Sequence, residues 1–179
     1  MAITRLNTNA FGTSVNLASN VTGTLPAANG GSGRTAVTGN VLQVVSTAKT
    51  DSFTTTATSD TAVTGLSLSI TPSSSSNKIF VIFTGNTSCD NSSSYYGAMS
   101  IYRDSTRIVG GQTGATSGST RIDNVNSGMS ILDSPSSTSA ITYQLYIKSE
   151  GNSSTVRINA TSGVVADEKA VITAMEIAG

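Results

Sequence analysis

Residues 66–71, Leu-Ser-Leu-Ser-Ile-Thr, set the terms for this chain: Leu66, Leu68 and Ile70 fall on one side of an extended backbone, Ser67, Ser69 and Thr71 on the other. A period of two is the pattern of a half-buried strand and cannot make the apolar stripe of a helix. The alternation returns over residues 141–149, where Tyr143, Leu145 and Ile147 are expected to face inward and Gln144, Tyr146 and Lys148 outward. Similar runs recur at 41–47, 53–58, 78–85, 97–104, 121–132, 155–161 and 169–178. Clusters of Ser, Gly, Asn and Pro separate them, among them 72–77, which opens on Pro72, a residue that cannot donate to a ladder. No amphipathic helix of ten or more residues is legible. Strands at this spacing predict an all-β fold over residues 41–179, an antiparallel β-sandwich of jelly-roll type. Residues 78–85 are apolar on both faces and are expected to form a central strand covered on both sides. The last run, 169–178, places Val171, Thr173, Met175 and Ile177 on one face and is expected to dock into a sheet.

Residues 1–40 read differently. They carry two charges, Arg5 and Arg34, and scattered apolar residues without a sustained period. An extended segment that is ordered by packing on something else is the expectation, with Ile3, Leu6, Phe11, Val15 and Leu17 as candidate attachment residues. Glycines 30, 31 and 33 precede Arg34 and Thr35. A phosphate-cradling loop needs a lysine there and a helix after it. Neither is present, so a linker or joint is the better reading.

Composition narrows the function classes. Ser and Thr fill 57 of 179 positions, and charged residues are 11%, against roughly 25% in an average domain. Ten basic and ten acidic residues leave no net field to attract nucleic acid or an anionic membrane. Leu, Ile, Val and Phe total 39, a lean core that copies of the chain would help to complete. The N-terminus lacks the apolar core of a signal peptide, and no run approaches a membrane span, so a soluble protein made in a cytoplasm is expected.

Histidine is absent, which excludes a Ser-His-Asp triad. The single cysteine, Cys89, forms no intrachain disulfide and is read as a lone thiol in a polar turn. Asp167 and Glu168 are adjacent in a turn, where a solvated role is the default, and Cys89-Asp90-Asn91 lacks the second spaced pair that a metal site requires. No enzyme activity, cofactor or metal is expected. Binding by loops remains. Asp90, Asn91, Tyr95 and Tyr96 in one loop, and Gln112 and Thr113 in the glycine-rich stretch 110–120, are the candidate receptor contacts. Tyrosine faces stack on sugar rings at low entropy cost. An open alternative has Tyr95 and Tyr96 begin a strand, one of them packing inward.

The stretch "NVTGTLPAANGGSGRT", residues 20–35, resembles an element with the pattern GTLP-ANGG-G that recurs in tail fibres and other appendages of tailed bacteriophages. Residues 41–81 resemble the start of a β-rich module found at the ends of such fibres, and "SIYRDSTRI" (100–108), residues 129–149 and the closing "ITAMEIA" match along the body. The resemblance implies a homotrimer, made in the bacterial cytoplasm and displayed on the virion surface. Its N-terminal segment would join other virion proteins, of capsid or tail, and its head would present loops to a host-surface glycan or protein. About 20 residues precede the glycine element, so a short tail fibre, stubby spike or head fibre is expected rather than a long shaft. Receptor binding is the leading function; a capsid decoration protein and a polysaccharide depolymerase are the alternatives.

Overall fold

Ten strands and no helix make up the described residues, which in this computed structural model are 38–90, 96–113, 125–151, 154–159 and 169–179. The strands are β1 (Val41–Lys49), β2 (Phe53–Thr55), β3 (Thr61–Ile70), β4 (Lys78–Asp90), β5 (Gly97–Arg103), β6 (Thr106–Thr113), β7 (Val125–Asp133), β8 (Ile141–Ser149), β9 (Thr155–Ile158) and β10 (Ala170–Ile177). Every pairing is antiparallel. The expected attachment residues Ile3, Leu6, Phe11, Val15 and Leu17, and the glycine joint, lie outside the described residues.

One sheet, A, runs β1-β10-β4-β7, and the other, B, runs β3-β8-β5-β6. Neighbours thus come from distant parts of the chain, β1 beside β10 and β3 beside β8, which is the strand order of a jelly roll. The two remaining strands extend sheet A. Strand β4 is 13 residues long: Lys78–Thr84 pair with β10, and Thr87–Asp90 pair with β9, which carries β2 on its far side. Gly85 stands where one partner gives way to the other. A β-carbon there would collide with Ala170 and the Phe83 ring, so only glycine allows the approach.

The core lies between the sheets and follows the alternation. Leu66, Leu68 and Ile70 meet Tyr143, Leu145 and Ile147 within sheet B, and Ile79, Val81, Phe83, Ile172 and Ala174 line sheet A. The inward faces expected for 66–70 and 141–147 are the ones found. Three expectations fail. Residues 110–113 are strand rather than loop, because β6 runs on to Thr113 in register with β5. Cys89 is buried within β4, not exposed in a turn. The polar residues before it are buried as well, Thr87 hydrogen-bonding to the hydroxyls of Thr113 and, at 2.6 Å, Ser127. Strand β4 is central in its hydrogen bonding, but among the described residues only its inner face is covered by a second layer: Ile79, Val81 and Phe83 are buried, Phe80 and Ile82 half-buried.

Two polar clusters brace the sandwich. Glu176, 1% exposed, receives Ser73 N at 2.7 Å, Ser73 Oγ at 2.8 Å and Asn77 Nδ2 at 2.5 Å on Oε1, and Gln43 Nε2 at 2.6 Å on Oε2. Burial by itself would raise its pKa. The donors from Asn77, Gln43 and Ser73 outweigh burial and bring it from the ordinary 4.5 down to about 2. Across the sandwich, Asp133 of sheet A accepts two bonds from Arg103 Nη1, at 2.8 and 2.9 Å, and one from Tyr143 Oη at 2.7 Å, both from sheet B. Burial first, then the Asp133 bond, pushes the Tyr143 phenol far above its usual range.

Candidate functional site

The two outer faces of the sandwich are built from the residues that alternate with the core, and they differ in chemistry. On sheet A the register puts Leu132, Phe80, Met175 and Val44 opposite one another on four successive strands. This is one unbroken apolar row across the sheet, about 15 Å wide at the usual strand spacing. Ile177 and Val41 form a second pair alongside it, and Ile82 and Val171 lie beyond it. Leu132 is 51% exposed, Val41 53% and Val44 56%. Ser130, Thr173 and Ser46 supply small hydroxyls between, and Lys78 is the one charged side chain that the register places on this face beside the row. Over Gly128 a shallow depression of about 210 Å³ opens, lined in part by Ile82, Thr84 and Ser130.

On sheet B the outward positions are small or polar: Ser67 and Ser69 on β3, Thr142, Gln144 and Lys148 on β8, Ala98 and Ser100 on β5, Gln112 on β6. Two tyrosines interrupt them. Tyr102 and Tyr146, diagonal neighbours on β5 and β8, stack with ring centroids 4.1 Å apart and planes at 37°. Tyr102 Oη donates to Asp60 Oδ2 at 2.5 Å. That hydrogen bond, with burial second, raises the Tyr102 pKa, so the ring stays a neutral phenol through physiological pH.

Of the receptor contacts expected from sequence, Asp90, Tyr96, Gln112 and Thr113 are among the described residues. Asp90 ends β4, paired with Thr155. Tyr96 is half-buried just before β5, its carbonyl taken by Glu150 N at 2.9 Å. Asn91 and Tyr95 lie outside the described residues. Gln112 is exposed on the outer face of sheet B, as a strand residue. Thr113 is a correction: at 4% exposure it is locked in the hydroxyl cluster with Thr87 and Ser127 and offers nothing to a ligand. The sequence reading missed the row on sheet A, although its signal was visible in residues 78–85, apolar on both faces. It placed Tyr146 outward but not its partner Tyr102 beside it, because a diagonal cross-strand pair 44 positions apart has no local signature.

No family model matches the sequence, and no curated protein matches it. Solved structures do. The structure of infectious bursal disease virus Gt strain is 14% identical with a TM-score of 0.36, covering 79% of this chain and 39% of that one. The Gx strain is 13% identical with a TM-score of 0.39, covering 79% and 37%. T=1 particles derived from the virus give 14% identity and a TM-score of 0.37, covering 76% and 36%. The chain therefore spans less than two-fifths of the length of these chains, and likeness at this level carries no statement about function.

Proposed function

We propose that this chain is a non-enzymatic structural protein of a tailed-bacteriophage virion: a short homotrimeric fibre or spike whose N-terminal segment joins capsid or tail and whose sandwich displays a host-binding surface. One observation supports it most, the apolar row Leu132–Phe80–Met175–Val44 on the outer face of sheet A. A monomer in water gains nothing from a row of large apolar side chains whose ends, Leu132 and Val44, are about half exposed, and contiguous patches of this kind mark interaction sites. The occupant that fits is a second and third copy of the chain. A net charge of zero leaves no self-repulsion to oppose assembly, and the face carries Ser and Thr in place of charges. The jelly-roll order agrees with the reading, since viral capsid and lectin domains use it, but it does not fix function by itself. The sequence resemblance of residues 20–35, 41–81, 100–108 and 129–149 to phage appendages supplies the biological setting.

Light scattering on the full chain tests the assembly. The wild type is expected at the mass of three chains. The double variant Val44→Asp, Leu132→Asp, altered at two exposed positions, is expected at the mass of one with its β circular dichroism intact. A wild-type monomer sinks the trimer. Antibody labelling of intact particles then tests the virion location.

A further inference from the structure

We propose that the outer face of sheet B carries a saccharide-binding platform built on the stacked pair Tyr102–Tyr146. The inference rests on the adhesive reading above and names the class of receptor. The pair stands on a floor of small residues: Tyr146 is flanked across the strands by Ala62 on one side and Ser100 on the other, and Ser100 in turn by Gly110. Long polar side chains flank the pair at Tyr102, whose cross-strand neighbours are Gln144 and Arg107.

The groups around the pair suit hydroxyl-rich ligands. Asp60 holds the Tyr102 hydroxyl with Oδ2 and keeps Oδ1 as an open acceptor. Gln144, cross-strand neighbour of Tyr102, adds an amide with both donor and acceptor. Arg107 is exposed and has no carboxylate partner among the described residues. Its guanidinium lies over Gly110, filling the space where a β-carbon would sit. Ser100, the cross-strand neighbour of Gly110, is 1% exposed, and its hydroxyl has no hydrogen-bond partner among the described residues. An orphaned buried hydroxyl is costly and calls for an explanation. When Arg107 swings away from Gly110 towards a ligand, the Ser100 hydroxyl gains a partner from that ligand.

The charge balance selects among ligands. One carboxylate and one guanidinium face each other across two neutral rings, so the patch has no net preference for phosphate or nucleic acid, and a zero net charge overall adds none. Its shallowness argues against an apolar small molecule, which needs an enclosing pocket. A pyranose ring offers what the patch lacks: a C–H face to lie on the tyrosines and an edge of hydroxyls to bridge Asp60, Gln144 and Arg107. A single such site binds weakly, and three copies on one spike raise the effective affinity.

The test uses the full chain and four soluble neutral oligosaccharides: maltohexaose, cellohexaose, chitohexaose and mannohexaose. With five tyrosines and no tryptophan, intrinsic tyrosine emission reports the patch without a brighter competitor. Saturable quenching by at least one of the four is expected at millimolar concentration. Tyr146→Ala is expected to weaken it by about tenfold or more, and Arg107→Ala, at an exposed position, by about threefold to tenfold. The sheet A variant Val44→Asp, Leu132→Asp is expected to keep the per-chain affinity while losing the threefold mass. Quenching by none of the four overturns the proposal, and so does equal quenching in Tyr146→Ala and Arg107→Ala. Adhesion of the chain to bacterial cells separates the two claims. Cell binding that survives both substitutions discards the platform and keeps the adhesive reading, whereas saccharide binding without cell binding does the reverse.

Discussion

The two outer faces of this sandwich arise from the same alternation, yet they have opposite chemistry. Sheet A shows water a row of Leu132, Phe80, Met175 and Val44; sheet B shows it serines, a threonine, glutamines and one tyrosine pair. A jelly roll that worked alone would have two faces of the second kind. The asymmetry teaches that the fold has an inside at two scales. One is the core between the sheets, and the other is the apolar face of sheet A, which in the proposed trimer is covered by other copies while sheet B faces the surroundings.

The sharpest way to break this comparison is to charge each face in turn. Val44→Asp with Leu132→Asp is expected to reduce the assembly from three chains to one in sedimentation, whereas Thr142→Asp with Gln144→Glu on sheet B is expected to leave the mass unchanged. Equal effects would abolish the distinction. Next in size, Phe83 and Phe80 place the same side chain on opposite faces of β4. Phe83→Ala opens a cavity in the core and is expected to cost about 3–5 kcal/mol in urea unfolding of the dissociated chain. Phe80→Ala is expected to cost that chain about 1 kcal/mol, its main effect appearing in the association constant.

Acid provides a third probe, because the Glu176 cluster holds β1, the edge strand of the apolar face, against β10 and the turn before β4. The folded pKa of Glu176, about 2, lies below the ordinary 4.5, so its contribution is fully present above pH 4.5 and is lost as pH falls towards 2. That shift corresponds to about 3 kcal/mol. Urea midpoints measured from pH 6 to pH 2 are expected to fall across that window, and Glu176→Gln is expected to flatten the decline. Smallest is the tie between the sheets. Asp133→Ala strands Arg103 and the buried Tyr143 hydroxyl, for an expected loss of about 1–3 kcal/mol by the same titration. Asp133→Asn is expected to recover part of it.

Much of the framework was legible because it is local. The inward faces of β3 and β8 follow from residues 66–70 and 141–147 without knowledge of any partner. Legibility failed where local chemistry misled. Gly110 and Gly111 look like a loop, but they sit in β6, one under the Arg107 guanidinium and the other facing Met129 across the sandwich. Thr87, Ser88 and Cys89 look like a polar turn, but they are buried in the far half of β4, where Thr87 pairs with hydroxyls from two other strands. The outer face of sheet B was hidden for the same reason. Gln112 lies on it as a strand residue, and Tyr146 was assigned outward without the neighbour it stacks on.

What the chain's own order of residues determined is the period: strands in place of helices, two faces to each strand, a lean interior and no net charge. Which face of a doubly apolar strand such as β4 would be covered was decided only by the tertiary structure. Alternation is a property of one extended backbone, but coverage depends on which strands lie beside and above it. Here those neighbours, β10 beside β1 and β4, and β8 between β3 and β5, are brought together from across the chain.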